Sequence, residues 1–330
     1  MKAIVYKQYG SVDVLELKEV EKPLAKDHEI LIKVHAAEVT KTDCEMRSFD
    51  FQVKWFWLPL RLAVGLFRPQ RQILGGYFSG EVESAGKAVS RFKAGDQVFG
   101  TTKMRASAYG EYLCLPARSV LVTKPRNMSF AEAAAVPLGG LNALHFMRKA
   151  NIQRGEKVLI NGAGGSIGSF AVQIAKSMGA EVTAVDKTIK EDVIRRSGAD
   201  HFVDYTRRDF AKSGKTYDVV FDMVANGSYS DCTKVLNPHG RYLLGNPRIS
   251  DMLRSVLTTA FTDKVATFSF AGEQEKELIA LKEMIEAGTI TVIVDKVYSF
   301  EHVAEAHRRV EREQRLGAIV LAADHDSEKV

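Results

Sequence analysis

The stretch of sequence that most constrains the fold is residues 157–168, which read KVLINGAGGSIG. A short apolar segment enters a glycine-rich turn, and residues 169–178 then have the periodicity of a helix. A second apolar segment, residues 181–185, follows this helix and ends at Asp186. The order strand, glycine turn, helix, strand and acid predicts a dinucleotide-binding unit.

Each part of this unit has a physical role in holding a dinucleotide. Glycine lets the backbone turn tightly and approach a pyrophosphate, and the first N–H groups of the helix supply donors and partial positive charge. The predicted cofactor contacts in the turn are Gly162, Gly164, Gly165, Ser166 and Ile167. The last glycine of the motif, Gly168, is also expected to let the helix pack closely on the strand. A turn that is purely structural is the alternative.

The acid at the second strand end bears on which cofactor is bound. Asp186 follows the glycine turn at about the 20-residue spacing of an acid that accepts hydrogen bonds from the adenosine ribose hydroxyls. Its charge would repel a 2′-phosphate, which favours NAD(H) over NADP(H). Lys187 and Lys190 stand close behind it and could neutralise such a phosphate, so NAD(P)H is the broader expectation.

Length, charge and cysteine content exclude several classes of protein. At 330 residues the chain exceeds a usual single core, so two domains are expected. The formal net charge is +5, but the arginine pairs 207–208 and 308–309 are isolated, and no nucleic-acid partner is expected. Cys44, Cys114 and Cys232 are far apart, and the N-terminus lacks a signal-peptide pattern. Both features favour a reducing, cytoplasmic location.

Residues 55–67, WFWLPLRLAVGLF, form a nearly continuous apolar segment. It is too short to span a bilayer, which needs about 20 residues, and Arg61 interrupts it. It is interpreted as a helix packed between domains, as a mobile lid over an apolar substrate pocket, or as an interfacial membrane anchor. Of these, membrane contact is the least expected.

The pattern of short segments changes once along the chain. Residues 1–125 are β-rich, with strands predicted at 29–36, 78–85, 97–100, 111–115 and 120–124. Ser129 and Glu132 then form a capping-box pattern, after which predicted helices alternate with apolar strands as far as residue 270. The sequence thus predicts an α/β protein. A doubly wound parallel sheet takes up residues 126–291, and the β-rich domain combines residues 1–125 with residues 292–330.

Seven segments together resemble the medium-chain dehydrogenase/reductase superfamily, in its zinc-independent, quinone-oxidoreductase-like branch. The segments are MKAIV at 1–5, KVHAAEVTKTD at 33–43, FKAGDQVFG at 92–100, AAAVPLGGLNA at 133–143, the glycine turn, GADH at 198–201 and YDVVFD at 217–222. The resemblance implies a Rossmann domain and a chaperonin-10-like (GroES-like) catalytic domain, with the active site between them. It also implies a homodimer, formed through an edge strand near residues 265–270.

The resemblance also implies that no zinc is bound. Thr40 stands where zinc-dependent relatives have their first cysteine ligand, and Gly76 and Tyr77 stand where they have a His-Glu pair. The histidines at 28, 35 and 145 are isolated and are expected to lie at the surface or in packing contacts. Without a Lewis acid, activation of a simple alcohol is difficult, whereas a quinone or conjugated carbonyl accepts hydride more readily.

An NAD(P)H-dependent, metal-independent reductase of a small apolar quinone or α,β-unsaturated carbonyl is therefore the first hypothesis. Within this hypothesis Thr40 is expected to donate to the substrate carbonyl or the nicotinamide ribose, and Tyr77 is a second candidate donor. Asp43 and Arg47 match the same family segment, and Asp43 is a candidate for the chemistry, but an internal ion pair is the role expected of the two residues. No Ser/His/Asp or Cys/His arrangement is apparent. The competing hypotheses are a carbonyl or alcohol dehydrogenase and a non-catalytic dinucleotide sensor or membrane-associated scaffold.

Further cofactor contacts follow from the resemblance and from positions at strand ends. The candidates are Asn142 near the nicotinamide phosphate, Tyr205 beside the adenine, and Val224, Gly245 and Asn246 after the fourth and fifth strands. Relatives often have Gly-Lys before the last strand, whereas this chain has Gly317-Ala318. One cationic contact to the cofactor is therefore expected to be missing.

Overall fold

The computed structural model of the protein describes residues 1–52, 54, 56–225 and 227–323. Its strands are β1 (Lys2–Val5), β2 (Glu16–Glu19), β3 (Glu29–Val39), β4 (Tyr77–Ala85), β5 (Gln97–Thr101), β6 (Tyr112–Pro116), β7 (Leu121–Thr123), β8 (Lys157–Asn161), β9 (Glu181–Asp186), β10 (His201–Asp204), β11 (Tyr217–Asp222), β12 (Leu236–Leu244), β13 (Val265–Phe268), β14 (Val294–Ser299) and β15 (Ala318–Ala322).

The helices lie between these strands, and in the second half of the chain they alternate with them. They are α1 (Lys41–Ser48), α2 (Trp57–Val64), α3 (Phe130–Ala134), α4 (Val136–Ala150), α5 (Ser166–Ser177), α6 (Glu191–Arg196), α7 (Tyr229–Lys234), α8 (Ile249–Phe261), α9 (Glu275–Glu286) and α10 (Val303–Glu311). Each helix in the described part of the chain is too short or too polar to cross a bilayer. The cytoplasmic location stays a prediction.

Six strands form a parallel sheet in the order β10-β9-β8-β11-β12-β13. Two strand–helix runs wind outward from the centre in opposite directions, so the order reverses between β8 and β11. This sheet is the predicted doubly wound sheet, and its strands lie close to the predicted segments. It encloses a core in which β8, α4 and α5 contribute fully buried apolar side chains.

Seven strands form a second, mixed sheet in the order β14-β15-β3-β4-β5-β7, with β6 also paired to β3. The C-terminal strand β15 runs antiparallel to β3, with Ile319 opposite Val39. After forming the parallel sheet, the chain therefore returns to the mixed sheet, as the sequence predicts. The predicted pairing of a GroES-like β domain with a Rossmann sheet is confirmed, while the exact boundaries at 125 and 292 stay a prediction.

Local signals located some elements and missed others. The capping box of Ser129 and Glu132 is formed and starts α3. Helix α8 was not predicted. The only buried residues of α8 are Asp251 and Ser255, so its apolar residues face outward. A periodic apolar pattern usually indicates a helix whose apolar face lies against the core, and α8 does not follow this rule.

Candidate active site

A large cleft of about 1510 Å³ runs between the mixed sheet and the parallel sheet. Thr40, Asp43 and Tyr77 line it from the mixed-sheet side. The parallel-sheet side contributes most of the predicted cofactor contacts, which are Asn142, Gly162, Gly165, Ser166, Ile167, Asp186, Lys187, Lys190, Tyr205, Val224, Gly245 and Asn246. The fold therefore brings both sets of candidates, separated widely in sequence, to one cavity.

The shape of the glycine turn depends on backbone geometry at particular positions. Gly162 has a φ of 86°, in the left-handed region that glycine adopts easily. A Cβ on Gly168 would lie 2.2 Å from the carbonyl oxygen of Gly162, so this residue permits the helix–strand approach. Helix α5 begins after Gly165 without a side-chain cap, so its first N–H groups remain available for an anionic ligand.

Asp186 is held against the turn by hydrogen bonds of its own. Its Oδ2 accepts from the N–H of Gly164 at 2.8 Å, and its Oδ1 accepts from the N–H of Lys187 at 2.8 Å. The ammonium of Lys190 lies 3.5 Å from Oδ1, and both side chains are almost fully buried. Lys190 is thus paired with the acid, whereas the side chain of Lys187 is exposed.

The amide side chains of two candidate residues each donate a hydrogen bond from their NH₂ group to a backbone carbonyl. Asn142 Nδ2 donates to the carbonyl of Leu138 at 2.9 Å, and Asn246 Nδ2 donates to the carbonyl of Met223 at 2.8 Å. Because each NH₂ group is held by a backbone carbonyl, the direction of the amide oxygen on the same side chain is also fixed. Tyr205 is 51% exposed at the cleft rim, where a flat adenine ring could lie against it.

On the substrate side, Thr40 and Asp43 form a capping box at the start of α1. The Thr40 hydroxyl donates to Asp43 Oδ2 at 2.6 Å, and Asp43 Oδ1 accepts from the N–H of Gly75 at 3.2 Å. Burial raises the pKa of Asp43, against the effect of these hydrogen bonds. Asp43 therefore ties α1 to the loop before β4 and orients the Thr40 hydroxyl.

The expected ion pair between Asp43 and Arg47 is wrong. Arg47 instead pairs with Glu311 of α10 and donates through Nη1 to His307 Nδ1 at 3.2 Å. The sequence could not indicate this, because α10 is packed on α1 only by the C-terminal return of the chain. Arg47 therefore has a structural role away from the cleft.

A carboxylate that no sequence motif marks joins the two sides of the cleft. Glu273, in the loop between β13 and α9, accepts from the Tyr77 hydroxyl at 3.0 Å and from the Thr101 hydroxyl at 2.8 Å. All three residues line the cleft. Burial, followed by the charge of Glu273, holds the pKa of Tyr77 well above its usual value, so its phenol stays protonated and can donate.

Apolar side chains also line the cleft, and some of them come from helix α2 and the residue before it. Phe56, Ala63 and Val64 line the cavity from this segment. No residue of α2 is buried, so the interpretation as a helix packed between domains is wrong. Arg61 lies over the ring of Tyr9, 3.8 Å from its centroid, which anchors the helix to the mixed-sheet side. The contact of Ala63 and Val64 with the cleft is compatible with a mobile lid over an apolar pocket. That role and membrane contact both stay predictions, and Trp55 lies outside the described residues.

The structure also corrects the expectation that no Cys/His arrangement exists. Cys44 Sγ lies 3.3 Å from His307 Nδ1, although the two residues are far apart in sequence. Burial raises the pKa of Cys44 and, together with Arg47, lowers the pKa of His307 to about 3. A protonated thiol beside a neutral imidazole, both buried, is a packing contact rather than a nucleophile and its base.

The donor atoms of the cleft do not fit a zinc ion. The positions that would supply ligands hold the hydroxyls of Thr40 and Tyr77 in place of thiolate, imidazole or carboxylate. Among the residues that the structure describes, no group of three His, Cys, Asp or Glu side chains could hold a metal ion.

The fold and this cleft are those of a two-domain dinucleotide-binding dehydrogenase or reductase, and comparisons with known proteins agree. Residues 26–137 match the alcohol dehydrogenase GroES-like domain, and residues 197–321 match the zinc-binding dehydrogenase family. The chain belongs to the medium-chain dehydrogenase/reductase superfamily, in its quinone-oxidoreductase-like branch.

Among similar proteins is 2-methylene-furan-3-one reductase from Solanum lycopersicum, 31% identical over 97% of this chain and 79% of its own length. NADPH-dependent alkenal/one oxidoreductase, chloroplastic, from Arabidopsis thaliana is 30% identical with the same coverage. Quinone oxidoreductase from Sus scrofa is 30% identical over 94% of both chains. The structure of the quinone oxidoreductase from Coxiella burnetii superposes with a TM-score of 0.86 at 26% identity, over 98% of this chain and 99% of its own.

Proposed function

We propose that the protein is an NAD(P)H-dependent, metal-independent oxidoreductase that reduces a quinone or an α,β-unsaturated carbonyl of apolar character. The observation that carries this proposal is the cleft, which joins a glycine turn on one side to an apolar wall with protonated hydroxyls on the other. The names of the similar proteins, which include an alkenal/one oxidoreductase and a quinone oxidoreductase, support it.

A reduced nicotinamide supplies hydride to the conjugated acceptor. The chain's own residues have two tasks. On substrate binding, the Thr40 and Tyr77 hydroxyls would give up their hydrogen bonds to Asp43 and Glu273. Each would donate its single proton instead to the acceptor's carbonyl oxygen, where negative charge develops as the new C–H bond forms. Solvent then supplies the proton that completes the reduction. Asp43 and Glu273 act as positioning residues, since each holds one of the two donor hydroxyls.

This reaction is tested by following the loss of NADH or NADPH absorbance with a panel of quinones, enones and enals. Wild type should oxidise at least one cofactor, and Tyr77→Phe should lower kcat by about 100-fold, the usual effect of losing one oxyanion donor. Tyr112→Phe, on strand β6 and not among the residues lining the cleft, is the matched control and should leave kcat unchanged. Cofactor binding without turnover of any acceptor would instead favour the non-catalytic alternative.

For cofactor choice, we infer a preference for NADH. The carboxylate of Asp186 is held beside the glycine turn by the N–H of Gly164, and an acid at the end of this strand would repel a 2′-phosphate. The pairing with Lys190 reduces that repulsion, so NADPH should be disfavoured rather than excluded. Asp186→Ser should therefore move the ratio of kcat/KM values toward NADPH by about tenfold or more. An unchanged ratio would show that the acid only supports the turn.

We further infer a homodimer that forms through the edge of the parallel sheet. Strand β13 ends this sheet, and the neighbouring helix α8 exposes a row of large apolar side chains. The row consists of Ile249, Leu253, Val256, Leu257 and Phe261. Exposed apolar surface beside an unpaired strand edge is typical of an interface. Light scattering should give twice the chain mass, and a monomer at all concentrations would contradict the inference.

A further inference from the structure

Helix α2 and the loop after it present large apolar side chains that no other part of the described chain covers. Leu58 and Leu62 lie one helical turn apart on the same face of α2, and they are 56% and 61% exposed. Phe67, in the following loop, is 87% exposed. A group of large apolar side chains on a protein surface indicates a site of contact with a partner or a membrane. This surface, called the α2 patch, consists of Trp57, Leu58, Leu62, Leu66 and Phe67.

The charged residues around the α2 patch are all basic. No Asp or Glu occurs between residues 51 and 80 or between residues 97 and 110. The two segments lie side by side, because Arg71 Nη1 donates to the backbone carbonyl of Arg105 at 3.2 Å. Apart from Lys54, which has an acidic neighbour 3.8 Å away, their exposed cations form no ion pair within the described part of the chain. These exposed cations are Lys54, Arg68, Arg71, Lys103 and Arg105.

The α2 patch lies beside an opening of the cleft. Ala63 and Val64, on the same helix, line the cleft, whereas Leu58 and Leu62 do not. Arg71 and Lys103 also line the cleft, and both are exposed to solvent. The cleft therefore reaches the protein surface next to the exposed apolar face of α2.

We propose that the α2 patch is a docking surface for an anionic lipid bilayer, from which the cleft takes up an apolar quinone or conjugated carbonyl dissolved in the membrane. This inference rests on the proposed function. Apolar side chains enter the boundary between headgroups and acyl chains, while Lys and Arg attract anionic headgroups. A bilayer is favoured over a protein partner because its surface charge has one sign, and the charges around the patch all have the opposite sign.

The proposal reverses the order of interpretations given to residues 55–67 from the sequence, in which membrane contact is the least expected. An apolar segment in a globular chain is usually covered by packing, and the sequence could not show that Leu58 and Leu62 remain exposed after folding. The exposed outer face and the purely basic surroundings are the two observations that favour the membrane.

Flotation of the protein with lipid vesicles in a sucrose gradient, without substrate, tests the docking surface. Wild type should bind phosphatidylcholine vesicles containing about 30% phosphatidylserine at least tenfold more tightly than vesicles of phosphatidylcholine alone. The double variant Leu58→Ser with Leu62→Ser should lower the partition coefficient by about 10- to 100-fold, because it removes apolar area that the bilayer buries. Leu24→Ser with Ile279→Ser, at two exposed positions elsewhere, is the matched control and should bind as wild type does.

A second pair of variants tests the charges alone. Arg68→Gln with Arg105→Gln should lower the partition coefficient on the anionic vesicles by about 10- to 30-fold, since each cation near such a surface contributes about tenfold or less. Lys215→Gln with Lys234→Gln removes the same charge from exposed positions in the parallel-sheet part of the chain. This control should leave vesicle binding unchanged.

Turnover assays connect the surface to the cleft. None of Leu58, Leu62, Arg68 and Arg105 lines the cleft, so both double variants should reduce a water-soluble quinone as wild type does. They should lose activity only toward a long-chain quinone carried in anionic vesicles.

The outcomes separate this inference from the proposed function. A wild type that does not float with anionic vesicles, or that binds neutral vesicles equally well, would overturn the docking surface. So would unchanged vesicle binding in Leu58→Ser with Leu62→Ser, and a halved mass of that variant in light scattering would then assign the patch to a second copy of the chain. A wild type that binds anionic vesicles but oxidises neither NADH nor NADPH with any acceptor would instead overturn the proposed function.

Discussion

Gly168→Ala is expected to abolish cofactor binding and to destabilise the protein by about 1–3 kcal/mol, the usual cost of overpacking. The added Cβ would lie 2.2 Å from the Gly162 carbonyl oxygen and 2.6 Å from the Ala163 Cα. Both are backbone atoms of the same turn, so relief of the clash must move the turn that holds the phosphates. Urea denaturation and NADH titration measure the two effects.

The neighbouring glycine provides a matched control. Gly165 has φ −86° and ψ 173°, which any residue adopts, and the nearest atom to an added Cβ is 3.6 Å away. Gly165→Ala should therefore change the free energy of unfolding by less than about 0.5 kcal/mol, as for an ordinary surface substitution. If both variants are equally stable and both bind NADH as wild type does, the close approach at Gly168 is not what shapes the site.

Glu38→Gln is expected to make the protein more stable at alkaline pH. Burial raises the pKa of Glu38 from 4.5 to about 8 in the folded protein, although Ser166 and Arg315 oppose this effect. A raised folded pKa favours the protonated native state, so this contribution is complete below pH 4.5 and is lost as pH rises to about 8. A tenfold change in a proton-binding constant corresponds to about 1.4 kcal/mol. The variant should therefore gain a few kcal/mol at pH 8 and almost nothing at pH 4.5, as urea denaturation at the two pH values would measure.

The difference in the free energy of unfolding between wild type and Glu38→Gln cancels the contributions of the other titrating groups and leaves that of Glu38. His307 acts in the opposite direction, because its pKa is lowered from 6.5 to about 3 and stability is lost as pH falls through that window. Glu21→Gln, at an exposed position, should show the wild-type pH dependence of unfolding. A Glu38→Gln protein with that same pH dependence would mean that Glu38 keeps an ordinary pKa.

The cofactor half of the cleft was predictable because its residues are close in sequence. The glycine turn and Asp186 belong to one strand–helix–strand unit, and their hydrogen bonds run within that unit. The Ser129–Glu132 capping box was visible for the same reason. Both features depend on short-range backbone geometry alone, so they can be predicted without knowing where distant segments of the chain lie.

The substrate half was predictable only in part. Thr40 and Tyr77 were identified through a resemblance to relatives, but their partners were not all visible. Tyr77 meets Glu273 across the cleft, from a loop that follows the last parallel strand. Arg47 was expected to pair with Asp43, its neighbour on α1, and instead pairs with Glu311 of the C-terminal return. Both errors come from partners that sequence proximity does not suggest.

The sequence by itself determined the two kinds of sheet and the glycine turn with its acid. Those features depend on local periodicity and on residue identity. Only the tertiary structure decided that Ala63 and Val64 of α2 line the cleft, that Glu273 accepts a hydrogen bond from Tyr77, and that Arg315 lines the same cleft. These residues are far apart in sequence, so no local pattern indicates that they share one cavity. The pairing of β15 with β3 returns the C-terminal part of the chain to the mixed sheet and so places the loop of Arg315 at the cleft.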